Sequence, residues 1–71
     1  MSMWKSVELF LRDGLSREEV RAMIHEHIVY VAAEAGEFVR RIRIGRSVRH
    51  PDGWRKWDAA YLPGPPGLFR G

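Results

Sequence analysis

The sequence contains no cysteine, which excludes a disulfide framework, a cysteine zinc site and a thiol nucleophile. It also lacks long apolar runs. The longest, Ile28 to Ala33, spans six residues, against about 20 needed to cross a bilayer. Met1-Ser2-Met3-Trp4-Lys5 has no basic region followed by a long apolar stretch, so no secretory signal is expected. Seventy-one residues leave no room for separate substrate and cofactor domains, and such a chain sits near the lower limit of a self-sufficient core. A hydrophobic content of 45% argues against wholesale disorder. The expectation is a small cytoplasmic domain with no membrane partner.

Acidic residues are scarce in one stretch only. Residues 1 to 39 carry four basic against seven acidic side chains, a net −3. Residues 40 to 56 carry Arg40, Arg41, Arg43, Arg46, Arg49, Arg55 and Lys56 against Asp52 alone, a net +6. The overall +3 therefore hides an asymmetry that points to a polyanionic partner.

Met3, Trp4, Val7, Phe10 and Leu11 recur at spacings of three and four, which predicts a first helix closed by Asp13-Gly14. Ser16 and Glu19 form a capping box for a second helix. Val20, Met23, Ile24 and Ile28 supply its apolar stripe. Beyond it the residues point two ways: Ile28-Val29-Tyr30-Val31 favours a strand, whereas Ala32-Ala33-Glu34-Ala35 favours continued helix, in which case Val31 and Ala35 extend the stripe and Gly36 stops it near Ala35. Leu15 is expected to be buried between the two helices. Ile42 and Ile44 alternate with Arg41 and Arg43, the pattern of a half-buried strand. Gly45-Arg46-Ser47 predicts a tight reversal, with Ser47 to His50 returning antiparallel. Pro51-Asp52-Gly53 is a turn. Asp52 is then placed to cap a short helix in which Trp54, Trp57 and Tyr61 share a face. Pro63 to Gly71, rich in proline and glycine, predicts an extended arm.

Gly14-Leu15-Ser16, then Gly36-Glu37-Phe38, then Arg43-Ile44-Gly45-Arg46-Ser47-Val48-Arg49 and a Trp-bearing segment, resemble the small excisionase-type winged helix-turn-helix proteins over roughly residues 3 to 62. The resemblance implies an α+β fold: two helices, a basic β-hairpin wing and a short C-terminal helix, forming a DNA-binding domain over residues 1–62 with a flexible arm at 63–71. It implies that the helix after the turn enters the major groove and that the wing contacts the backbone or the minor groove. The stretch between the turn and Gly36-x-Phe38 is longer than is common in that family. Val39 and Arg41 stand where that family often carries proline.

The residues point to DNA on physical grounds as well. Neutralising phosphates releases counterions, and the arginine fork binds phosphate or guanine bidentately and fits a narrow minor groove. Arg17, Arg21 and His25 fall at i, i+4 and i+8 of the second helix. With Ser16 at its start they are the candidates for groove contact, and Arg40, Arg41, Arg43, Arg46, Ser47, Arg49, Arg55 and Lys56 are the candidates of the wing. Glu18, Glu19 and Glu26 lie on the same helix and repel phosphate, which shifts the expected affinity toward the wing. The expected partner is double-stranded DNA, with an integrase or other protein and self-association on DNA as further expectations of the resemblance.

Trp4, Trp54 and Trp57 are expected in the core, because a domain this small needs large apolar groups to close. His25-Glu26-His27 is not expected to form a metal site, since residues i and i+2 of a helix point about 200° apart. No nucleophile with a His–carboxylate pair is evident, so neither an enzyme nor a cofactor is expected. The other reading is a small phage-type protein-binding modulator, an inhibitor or adaptor. It would act through the basic hairpin and through Leu68 and Phe69, an apolar pair on a Pro/Gly tether.

Overall fold

The computed structural model describes residues 3–64. Strand β1 (Lys5–Arg12) leads through a turn into helix α1 (Arg17–Glu34). Strand β2 (Phe38–His50) and strand β3 (Trp54–Gly64) follow, joined by a tight turn at Pro51–Gly53. The three strands form an antiparallel sheet in the order β1-β3-β2. β1 and β2 both run against β3, so α1 is the crossover of a split β-α-β unit.

Helix α1 begins as its sequence dictates. The Ser16 hydroxyl accepts from the Glu19 amide at 3.1 Å, and the Ser16 amide donates to Glu19 Oε1 at 2.9 Å. Together these bonds satisfy two amides that a helix start otherwise leaves orphaned. The helix buries Val20, Ile24, Ile28 and Ala32, spaced four apart on one stripe. Met23 and Ala35, expected on that stripe, are exposed, and Val31 is partly buried. The helix stops at Gly36, whose φ of +72° is a left-handed conformation that glycine adopts freely.

The sheet answers that stripe with alternate residues. Val7, Leu9 and Leu11 of β1 and Ala59 and Tyr61 of β3 are buried beneath α1, with Leu15, Val31, Val39, Ile42, Ile44 and Trp57 packed around them. Val7 faces Ala59 and Leu9 faces Trp57 in register. This single apolar layer between helix and sheet is the core.

The winged helix-turn-helix expected from the sequence is not the fold observed. Among the described residues there is one helix and three strands, with neither a first helix before Ser16 nor a C-terminal helix. Residues 5–12 alternate with period two, and Phe10, whose apolar character completed a three-and-four spacing, lies on the outer face and is 53% exposed. Residues 54–64 also alternate. Trp57, Ala59 and Tyr61 face the helix, whereas Trp54 falls on the opposite side, because strand side chains repeat every two residues.

The wing is likewise absent. Gly45-Arg46-Ser47 does not reverse the chain but forms a bulge in a continuous β2, two residues opposing Asp58 alone between the pairs Ile44–Ala59 and Ser47–Trp57. A Cβ on Gly45 would lie 3.0 Å from the Asp58 carbonyl oxygen, a tight approach that a glycine avoids. A second bulge at Arg40 lies opposite Pro63, which has no amide to donate to the ladder. The reversal comes instead at Pro51-Asp52-Gly53, where Asp52 and Gly53 both take positive φ. Pro63 and Gly64, read from sequence as the start of the arm, belong to β3. Leu68 and Phe69 lie outside the described residues.

Candidate nucleic-acid interface

The basic segment 40–56 spans β2, the turn and the start of β3, and the fold divides its cations into two groups. Arg55 is held within the structure. Its Nε donates to Asp13 Oδ1 at 2.8 Å and its Nη1 to the Ser47 hydroxyl at 2.9 Å. Arg49 lies 3.6 Å from the other Asp13 oxygen. Asp13 is thereby kept below its ordinary carboxylate pKa, chiefly by the Arg55 hydrogen bond. Lys56 pairs with Glu8 across the sheet at 3.4 Å.

The second group is Arg40, Arg41, Arg43 and Arg46. These four are exposed on an edge strand and make no ion pair among the described residues. Arg40 and Arg46 sit in the two bulges, while Arg41 and Arg43 are opposite Leu62 and Ala60, on the face turned away from α1. The guanidinium of Arg43 stacks 4.3 Å from the centre of the Trp4 ring, a cation–π contact that leaves Arg43 without a carboxylate partner among the described residues.

That outer face combines charge with rings. Phe10 and Trp54 stand on it with His50, whose ring meets Phe10 edge-on at 5.2 Å and 78°. Trp54 is 44% exposed, so of the tryptophans expected in the core only Trp57 packs against it. Carboxylates occupy the middle of the face, where Glu8 is opposite Asp58. Sequence reasoning missed the aromatic members of this face. Their signal was a period-two spacing that the three-and-four spacing masked.

On the helix side, the stripe of Arg17, Arg21 and His25 runs beside β2. Arg21 and His25 line a cavity of about 530 Å³ with Ile42, Arg43 and Ile44. Arg17 and Arg21 line an adjoining one of about 440 Å³ with Val20, Ile44, Gly45 and Trp57. The two share Arg21 and Ile44 and make one groove with an apolar floor and cationic helix rim. The structure thus brings three helix candidates to the same edge as the free arginines of β2. Ser16 is committed to its cap.

At the far end of the sheet, Glu37 accepts from Lys5 at 2.6 Å and from the Tyr61 hydroxyl at 2.9 Å. Those two bonds lower the Glu37 pKa, whereas burial and the Glu37 contact raise that of Tyr61. This cluster ties β1 and β3 to the segment that enters β2. Among the described residues no group of three potential ligands is placed to hold a metal ion, and no helix is long and apolar enough to cross a membrane.

Fold and surface define a small α+β domain, a helix packed on one face of a three-stranded antiparallel sheet whose other face no described element covers. Comparisons of the chain with family models, with curated proteins and with solved structures find no match.

Proposed function

We propose that the protein is a small, non-enzymatic nucleic-acid-binding factor of the cytoplasm, which acts on double-stranded DNA in an architectural or regulatory role. The observation that carries this reading is the placement of Arg40, Arg41, Arg43 and Arg46 along one edge strand without a carboxylate partner among the described residues. Arg17, Arg21 and His25 flank the same edge across the groove. Bulged, twisted strands fit a DNA groove as a helix does, and four unpaired guanidinium groups supply phosphate contacts without first breaking an internal ion pair.

The exposed rings of Phe10 and Trp54 favour a second reading, in which single-stranded nucleic acid stacks on the open face. Glu8 and Asp58 in the centre of that face oppose it, and duplex gripped at the β2 edge avoids them.

Titration of a fluorescent random-sequence duplex at about 50 and 200 mM salt tests the proposal. Four phosphate contacts predict a loss of affinity on the order of 100-fold between those conditions. Replacing the four free arginines by alanine is expected to abolish most of that salt dependence. Absence of binding at low salt, or an unchanged slope in the variant, rejects the proposal. Tighter binding to single strands that is lost in Phe10→Ala and Trp54→Ala selects the stacking mode instead.

A further inference from the structure

The two edges of the sheet are built differently. The β2 edge is interrupted by two bulges and lined with arginines, the devices by which natural sheets keep other strands away. The β1 edge has no bulge, and its one arginine, Arg12, shares the edge with Glu8. Its eight residues pair with β3 without a register shift and contain no proline or glycine. The Asp13 amide donates to the Gly53 carbonyl at 2.7 Å, which sets the alternation of the antiparallel ladder. Odd-numbered residues of β1 direct their amides and carbonyls at β3, so those of Ser6, Glu8, Phe10 and Arg12 point outward. No described strand pairs with that side.

We propose that the outer edge of β1 pairs antiparallel with the same edge of a second copy, about a two-fold axis at Phe10. In that register Phe10 opposes Phe10 on the open face. Glu8 of each copy opposes Arg12 of the other, and Leu9 opposes Leu11 beneath the helices. The edge is self-complementary in charge. Two ion pairs flank an aromatic pair that covers a ring otherwise 53% exposed, and the buried row of Leu9 and Leu11 continues into the partner.

The neighbouring registers lack this match. Centring on Glu8 sets two carboxylates face to face, which destabilises a cross-strand site. Centring on Leu9 leaves Glu8 opposite Phe10 and Arg12 opposite Ser6, and the opposite charges it does align, Lys5 and Asp13, are already held by Glu37 and Arg55. Pairing through β2 would set arginines against arginines. The inference stands apart from the nucleic-acid reading, since it uses the other edge of the sheet.

Sedimentation equilibrium of the full chain is expected to give twice the 8.3 kDa chain mass. Glu8→Arg and Arg12→Glu each set like charges opposite one another and are expected to give folded monomers, with circular dichroism as the check. Mixing the two single variants, or combining both changes in one chain, restores opposite charges at every site and is expected to restore the dimer.

The chain holds no cysteine, so Phe10→Cys reports the axis directly. The paired Cα atoms would lie about 5.5 Å apart, within disulfide reach. Oxidation is expected to link that variant into a covalent dimer and to leave Val48→Cys unlinked. A monomeric wild type at high micromolar concentration overturns the proposal. So does a dimer that survives in both single variants, or a mixture that fails to re-form one.

Discussion

The carboxylate of Asp13, in the turn after β1, accepts a 2.8 Å hydrogen bond from Nε of Arg55, 42 residues further along the chain. The same guanidinium holds the Ser47 hydroxyl beside the β2 bulge. One side chain therefore ties the end of β1 to both strands of the hairpin. It is also why Arg55 and Arg49, though part of the +6 segment, contribute less free charge than their count implies.

Asp13→Asn is expected to be less stable than the parent at neutral pH, by a margin that depends on acidity. The folded-state pKa of Asp13 lies below its ordinary 3.8, because the charged form is the one Arg55 binds. A depressed carboxylate stabilises the fold above its unfolded pKa and loses that contribution as pH falls through the folded value. The gap between parent and variant should be constant above about pH 5 and close below pH 4. Urea melts at a series of pH values measure it, and a gap independent of pH excludes the contact as its source.

Ile24 is fully buried, whereas its neighbour Met23 is 45% exposed. Ile24→Ala is expected to cost about 2–5 kcal/mol, and Met23→Ala about 0.5 kcal/mol or less. Thermal or urea unfolding of both variants places the buried stripe on the 20-24-28-32 row. Equal losses would move it to the row that includes Met23.

Local chemistry was readable where it closes within a few residues. The Ser16–Glu19 capping box, the helix that follows and the Pro51-Asp52-Gly53 turn all depend on neighbours in sequence. The strands were obscured by residues that are apolar on both faces. Phe10 turns a period of two into a spacing of three and four, and Ala59-Ala60 hides the alternation of Trp57, Ala59 and Tyr61. Gly45-Arg46-Ser47 has the composition of a turn, and only the opposing Asp58 makes it a bulge. For the candidate interface, the Arg17-Arg21-His25 stripe follows from helical periodicity. Its position beside β2 and the stacking of Arg43 on Trp4 depend on tertiary packing, which no local pattern encodes.

Gly45→Ala is expected to destabilise the protein by about 1–3 kcal/mol, since the added methyl meets the Asp58 carbonyl oxygen at 3.0 Å. Arg46→Ala, one residue on and exposed, should lie within about 0.5 kcal/mol of the parent. Unfolding melts of the two variants compare them. Tolerance at both positions would be the behaviour of an open loop tip, not of a bulge pressed against β3.

The division of the cations into held and free groups predicts a double dissociation. Arg55→Ala breaks the bonds to Asp13 and Ser47, so its thermal midpoint should fall, while the salt dependence of DNA binding, measured where the variant is folded, should stay near that of the parent. Arg41→Ala has no ion pair to lose among the described residues. Its midpoint should be unchanged, and the slope of log affinity against log salt should shrink by about 0.9, the share of one phosphate contact. If Arg55→Ala lowered the slope as much as Arg41→Ala does, the internal contacts of Arg55 would have to open on binding. The β2 edge would then not be the preformed surface that its unpaired arginines imply.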